Sequence, residues 1–190
     1  MDLAREKKYA VIDLRDNRAN RKEVSGVLKK FQSQHILVLF NGHGNKSTIC
    51  GQHGEALIEA GVDDKLLSGN IIFTLSCETA ELLGPASIAN GAQAYIGYTK
   101  PFWLYRDLSM ERKPLQDELA ELYLKPTNEV SCSLIKGHTV GEAYNKSKQS
   151  QLKNIQKVAT SESELGYTLP SLLSNYMSQV CLGNTSATTS

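Results

Sequence analysis

With 190 residues, 41% hydrophobic and 22% charged, the chain has the length and composition of one globular domain with its own core, which excludes a largely disordered or fibrous protein. Its 21 basic residues nearly balance 20 acidic ones, for a net charge of +1 with no long run of either sign, so it carries no footprint for nucleic acid or an acidic membrane surface. The N-terminal MDLAREKKYAVIDL lacks the apolar stretch of a secretory signal, no apolar run approaches the ~20 residues that span a bilayer, and the four cysteines are scattered rather than framed. These features predict a cytoplasmic protein with reduced thiols.

In chain order, residues 8–14 (KYAVIDL) read as a first strand and residues 15–21 as a polar loop. Asn20 with Glu23 forms a capping arrangement that opens an amphipathic helix through Val24, Val27, Leu28 and Phe31. Strand 36–40 (ILVLF) would complete a right-handed strand-helix-strand crossover and ends in Asn41-Gly42-His43-Gly44-Asn45, where two glycines permit a tight turn with unshielded backbone N–H groups. Residues 47–58 read as a small hairpin around Gly51-Gln52-His53-Gly54. The string GHGNKST is not a phosphate loop, because that motif needs glycines where Phe40 and Asn45 stand and a helix where the hairpin begins.

A short helix is expected over residues 63–68 and a buried strand over 71–75 (IIFTL). A helix over 78–90, bent near Gly84-Pro85, would set Cys77 at a helix N-terminus. That position favours a thiolate, whereas Glu78 and Glu81 disfavour it. Residues 91–99 read as a fourth strand, and 100–125 as an irregular aromatic stretch followed by helical spacing through Leu115, Leu119 and Leu122. Thr139 with Glu142 is a capping box opening a long polar helix over 140–158, and a last helix is expected over 171–180. The organisation expected is a single domain over residues 1–182 with a disordered tail over 183–190.

The apolar runs 36–40 and 71–75 read as buried parallel strands whose ends present His43 and Cys77. In an open parallel sheet, ligands bind beyond the carboxyl ends of the strands, so the two side chains can converge there. A thiol nucleophile needs a base beside it, and imidazole titrates in the right range, so a Cys-His dyad is expected. Taken singly, a cysteine after a buried strand is more often an inert core thiol than a nucleophile, and a lone turn histidine is likewise more often structural than catalytic. Cys50 and His53 could join them in a zinc set, but the spacing matches no strong zinc pattern, and neither a metal nor a cofactor is expected.

The order of apolar strand, Asn-Gly-His43-Gly44, apolar strand and Ser76-Cys77 resembles the caspase-like cysteine peptidase clan. The hairpin, the GAQAYIGYT strand and the late G-H-T-V-G-E-A segment look most like its gingipain and CHAT-domain branches. Caspases carry Gln-Ala-Cys-x-Gly at the nucleophile; Leu75-Ser76-Cys77-Glu78-Thr79 stands here, closer to a CHAT-like relative. The resemblance implies a three-layer αβα sandwich of the caspase-hemoglobinase (flavodoxin-like) type, an α/β fold with a mostly parallel central sheet and an appended β-hairpin. It also implies cysteine endopeptidase activity on a protein or peptide substrate. Cys77 would attack the scissile carbonyl, His43 would protonate the leaving amine, and the N–H groups of Gly44 and Cys77 would hold the oxyanion, each such donor being worth about 3 kcal/mol of barrier.

In the clan, loops after the first and fourth strands form the pocket for the residue before the cut. Those loops supply Asp13, Arg15, Asp16 and Arg18 on one side and Phe102, Trp103, Tyr105, Arg106 and Asp107 on the other. An activating protein partner, or cleavage within residues 100–125, would gate such an enzyme. A catalytically silent caspase-like interaction module and a flavodoxin-like small-molecule binder are the competing readings.

Overall fold

The computed structural model describes residues 2–160 and 164–189. Strands β1 (Leu37–Asn41), β4 (Ile71–Leu75), β5 (Ala94–Tyr98) and β6 (Gln179–Gly183) form one sheet in that spatial order. The first three are parallel, and β6 runs antiparallel to β5. Strands β2 (Thr48–Cys50) and β3 (Ala56–Glu59) pair antiparallel as the separate expected hairpin.

The residue-by-residue alternation of a strand sorts its side chains to two faces. On one face Ile72 and Tyr95 pack with helices α2 (Arg21–Lys30) and α3 (Leu83–Ala89) and with Ile49, Leu57 and Ile58 of the hairpin. On the other, Ile71, Phe73, Ala94 and Ile96 pack against Val130 and Leu134 of α4 (Glu118–Ile135) and Val140 and Ala143 of α5 (Val140–Thr160). Burial on both faces explains why β4 and β5 read as continuous apolar runs. The protein is therefore α/β with a mostly parallel central sheet and helices on both faces, an arrangement compatible with a three-layer sandwich. No helix among the described residues is long and apolar enough to cross a membrane.

The expected first strand does not form. After α1 (Asp2–Glu6), the chain turns through Lys8 at φ 64°, and Tyr9 bonds Thr189 at 2.9 Å beside α4, while Leu14 packs into the core of the opposite face. The segment thus passes from one face of the sheet to the other instead of pairing with a strand. Val11 and Ile12 are exposed, residues 10–14 make no backbone hydrogen bond among the described residues, and β1 is left as an edge strand. β-propensity alone does not make a strand when the chain enters at the wrong angle to pair. The expected crossover is thereby reduced to α2 followed by β1.

Local signals elsewhere held. Asn20 Oδ1 accepts from Glu23 N at 2.9 Å at the start of α2. At α5, Thr139 N donates to Glu142 Oε2 at 2.8 Å and Glu142 N donates back to Thr139 Oγ1 at 3.2 Å, a complete capping box. Helix α4 starts after Asp117, whose carboxylate accepts from Ala120 N at 2.9 Å, so Leu115 is fully exposed outside it. The helix also continues beyond Lys125 through Pro126. Proline has no N–H to offer the Leu122 carbonyl one turn back; Asn154 Nδ2 of α5 donates to that oxygen instead, at 2.8 Å.

The last helix, α6 (Leu169–Ser178), is followed by β6, which the sequence reading missed. Gln179 opens β6 in full burial, with its side chain donating to Tyr98 Oη at 3.2 Å and Ser147 Oγ at 3.1 Å and accepting from Gln151 Nε2 at 2.8 Å. The segment expected to be a disordered tail is tied down through Thr189: Ala187 and Thr185 carbonyls accept from Val140 N at 2.9 Å and Gly141 N at 2.8 Å, and Thr189 Oγ1 donates to the Leu134 carbonyl at 2.7 Å. The tail thus serves the open N-terminal amides of α5.

Asn154→Ala should destabilise the fold by about 1–2 kcal/mol in urea denaturation, because the Leu122 carbonyl loses its partner. In a Pro126→Ala background, where a backbone N–H is restored, the same substitution should cost less than about 0.5 kcal/mol; an unchanged cost would show that Asn154 acts elsewhere.

Candidate active site

Strands β1 and β4 pair in parallel with Asn41 opposite Leu75, so His43 and Cys77 each stand two residues beyond a matched pair. The loops that carry them are fastened together. Gly42 N donates to the Leu75 carbonyl at 3.2 Å, and the Lys46 carbonyl accepts from Leu82 N at 3.2 Å and Leu83 N at 3.0 Å. Lys46 Nζ meets the Glu81 carboxylate at 2.9 Å. Gly44 lies so close to the second loop that a Cβ there would sit 2.7 Å from Thr79 Cγ2 and 3.1 Å from Ser76 Cβ, so a side chain is excluded. The hairpin holds the first loop from the other side, with Cys50 N donating to the His43 carbonyl at 3.0 Å and Asn45 N to the Thr48 carbonyl at 2.9 Å.

Cys77 is half-buried on a turn, and α3 begins only at Leu83, so the expected helix N-terminus at the thiol is absent. Pro85 is tolerated in the first turn of a helix, which places the start of α3 just before it. Residues 78–82 instead turn, with Glu78 at φ 59°, a left-handed conformation that costs a non-glycine residue on the order of 1 kcal/mol. The turn is held by Glu78 N donating to the Lys100 carbonyl at 3.3 Å and Ala80 N to the Tyr98 carbonyl at 3.1 Å. Beneath it, the buried hydroxyls of Thr74 and Thr79 bond at 2.9 Å, and Thr74 donates to Tyr95 Oη at 3.4 Å. Burial pushes the Tyr95 phenol up to about 12, so it stays neutral in this network.

What replaces the helix terminus as a partner for the sulfur is a backbone amide: Phe102 N, in the loop after β5, donates to Cys77 Sγ at 3.4 Å. A donor on sulfur favours the thiolate. Glu81 is paired with Lys46, whose pKa is raised by that hydrogen bond and by the Glu81 charge, so its carboxylate does not face the thiol as a free anion. His43 is exposed, and no hydrogen bond joins it directly to Cys77. The N–H groups of Gly44 and Cys77 donate to no protein acceptor among the described residues. The Ser76 hydroxyl, buried between them, likewise has no partner among the described residues.

The substrate-binding candidates divide. Trp103 follows Phe102 directly and is half exposed, and Tyr105 contacts Tyr123 and Tyr167 edge-on with ring centroids 6.0 Å apart. Arg106 faces Glu111 at 3.8 Å, and Asp107 accepts from Ser109 N at 2.8 Å; hydrogen bonding from the Ser109 side chain, and then from its backbone, holds the Asp107 carboxyl below the usual range. Arg15 pairs with Asp13, and the Asp13 hydrogen bond and charge raise its pKa. Asp16 sits at φ 51° and begins the 3-10 turn that ends at Arg18. No hydrogen bond or ion pair among the described residues links Asp13, Arg15 or Asp16 to the two loops, while the segment that follows them packs on the hairpin that holds the His43 loop: Arg21 N donates to Glu55 at 3.2 Å and the Ala19 carbonyl lies against Gly51.

Cys50, His53, His43 and Cys77 do not assemble: no group of three metal-ligating side chains occurs among the described residues. Cys181, on β6, is pushed up to about 11 by burial and stays a thiol at neutral pH. A cleft of about 560 Å³ between α2 and residues 62–66 is lined by none of these groups. Sequence reasoning missed the Phe102 amide and Asn175 of α6, which is 4% exposed and bonds the Trp103 backbone from 72 residues away. A backbone donor leaves no residue-type signal, and nothing local marks an asparagine inside a helix as a clamp.

No family model, curated protein or solved structure matches the chain. The class defined by the fold is α/β, and the site is a histidine and a cysteine on neighbouring parallel strand ends.

Gly44→Ala should cost about 1–3 kcal/mol in urea unfolding, because the added methyl must displace Thr79 or part the two loops. A neutral effect would mean that the loops separate freely.

Proposed function

We propose that the protein is a cysteine endopeptidase of the caspase-like type, acting on peptide bonds of a protein substrate through His43 and Cys77. The observation that carries the reading is the matched placement of the two residues beyond β1 and β4, with the Phe102 amide on the sulfur. In this mechanism the Cys77 proton resides on His43, and the thiolate attacks the scissile carbonyl. The oxyanion is received by the unoccupied N–H groups of Gly44 and Cys77. Collapse of the intermediate expels the amine, which takes the proton from imidazolium, and leaves a thioester on Cys77. His43 then takes a proton from water, hydroxide attacks the thioester, and the acid product departs as Cys77 leaves as thiolate. Trp103, half exposed and next in sequence to the Phe102 amide that meets the sulfur, is the substrate contact we favour, and an apolar or aromatic side chain suits it.

A catalytically silent caspase-like module is the second reading, favoured by the exposed His43 and the lack of a direct bond from it to Cys77. Catalytic hydrogen bonds in free enzymes are often completed only with substrate, so this geometry also accommodates the enzyme. An activating partner would act by bringing the His43 loop and residues 100–117 into productive alignment.

Digestion of a diverse peptide library, with product ends read by mass spectrometry, separates these readings. The wild type should cut, Cys77→Ala should not, and His43→Ala should be slower by about 100-fold or more. Cuts that persist in Cys77→Ala would rule out the proposed nucleophile, and absence of cuts from the wild type, alone and with candidate partners, would favour the silent module. Trp103→Ala should raise KM by several-fold with a smaller effect on kcat, as loss of uniform binding does.

A further inference from the structure

Between β5 and α4 the chain has only two short 3-10 turns among the described residues, Leu108–Met110 and Pro114–Gln116, so its own secondary structure does not set where Phe102 stands. Trp103 is half exposed, so packing of its ring does not fix it either. Phe102 itself packs edge-on against Tyr98 and against Leu122, Tyr123 and Leu172, and one side chain holds the residue that follows it. Asn175 Oδ1 accepts from Trp103 N at 2.9 Å, and Asn175 Nδ2 donates to the Trp103 carbonyl at 2.7 Å. The amide of Asn175 thus imitates a neighbouring strand and holds the peptide planes on both sides of Trp103.

We propose that Asn175 is a positioning residue for Cys77: by clamping Trp103 it holds the preceding amide, Phe102 N–H, on the Cys77 sulfur. This rests on the reading of Cys77 as the nucleophile. The remaining freedom of Phe102 is small, since its ring packs edge-on against Tyr98 with centroids 4.9 Å apart and Pro101 stiffens the backbone before it. Asn175 is buried, and burial of an amide is costly unless both ends are bonded; here Trp103 satisfies both. Phe102, Leu122 and Leu172 line the same small void of about 10 Å³, together with Tyr123, Thr127 and Gln151, none of which bonds the Asn175 side chain among the described residues. Helix α6 therefore supplies a donor-acceptor pair that completes the setting of a cysteine nearly a hundred residues earlier in the chain.

The test is the pH dependence of iodoacetamide alkylation, resolved for each cysteine by mass spectrometry. Asn175→Leu removes both bonds while keeping similar volume, and Asn175→Ala serves as the second variant; circular dichroism identifies which of them is folded. In a folded variant, Cys77 labelling should be about 3–10-fold slower at pH 7, with its midpoint displaced to higher pH and its high-pH plateau unchanged. Cys50 and Cys132 should keep their wild-type profiles. A Cys77 profile that superimposes on wild type in a folded variant would overturn the proposal, as would a uniform change at all cysteines. Library cleavage by wild type and Cys77→Ala, run in parallel, separates the two claims. A displaced profile without any cleavage would retain the positioning role and reject the peptidase. Cleavage that depends on Cys77 with no displacement would do the reverse.

Discussion

The contact on which the site depends is the parallel pairing of β1 with β4 in the register that sets Asn41 against Leu75. A slip of one residue would turn every side chain of β1 to the opposite face and move His43 out of step with Cys77. The register is specified twice over. Within the sheet, Val38 and Phe40 pack toward one core and Leu37 toward the other. Beyond the sheet, Gly44 fits against Ser76 and Thr79 only without a side chain, and Lys46 joins the second loop through both its carbonyl and its ammonium group. The exposed Lys46–Glu81 pair contributes little to stability on its own, while the backbone bonds to Leu82 and Leu83 satisfy N–H groups at the start of α3 that would otherwise lack partners.

The Cys77 turn shows how local strain and buried polar groups are combined. A left-handed Glu78 opens the turn, and its conformation persists because Lys100, Tyr98 and the Thr74–Thr79–Tyr95 hydroxyls over-determine the backbone around it. The result is a sulfur held at the meeting point of three loops, after β1, β4 and β5. The third of these is kept in place by α6. Chemistry at Cys77 would thus draw on almost the whole length of the chain.

Much of this was legible locally. The strands at β1, β4 and β5, the hairpin, Asn20 with Glu23, and Thr139 with Glu142 are all signals contained within a few residues, and each formed. The placement of His43 and Cys77 followed from two strand ends and a general rule of parallel sheets. Three misreadings share one cause, since each concerned a segment whose conformation is set by a distant partner. Residues 8–14 have strand propensity but join no strand because Tyr9 and Leu14 are held on opposite faces. The tail looked featureless because its carbonyls, not its side chains, cap α5. The helix after Cys77 was drawn too long because the turn residues 78–82 have no sequence feature that forbids helix.

Alternating and continuous apolar patterns, capping residues and glycines at the tight turn determined by themselves that this is an α/β protein with His43 and Cys77 at strand ends, because each depends on the chemistry of near neighbours. Only the tertiary structure decided that α4 runs through Pro126, with Asn154 standing in for the missing bond, that β6 closes the sheet, and that the Phe102 amide reaches the sulfur. Those outcomes depend on backbone donors and acceptors, which every residue carries alike. Their pairing is settled by which segments the packed core brings within about 3 Å of each other.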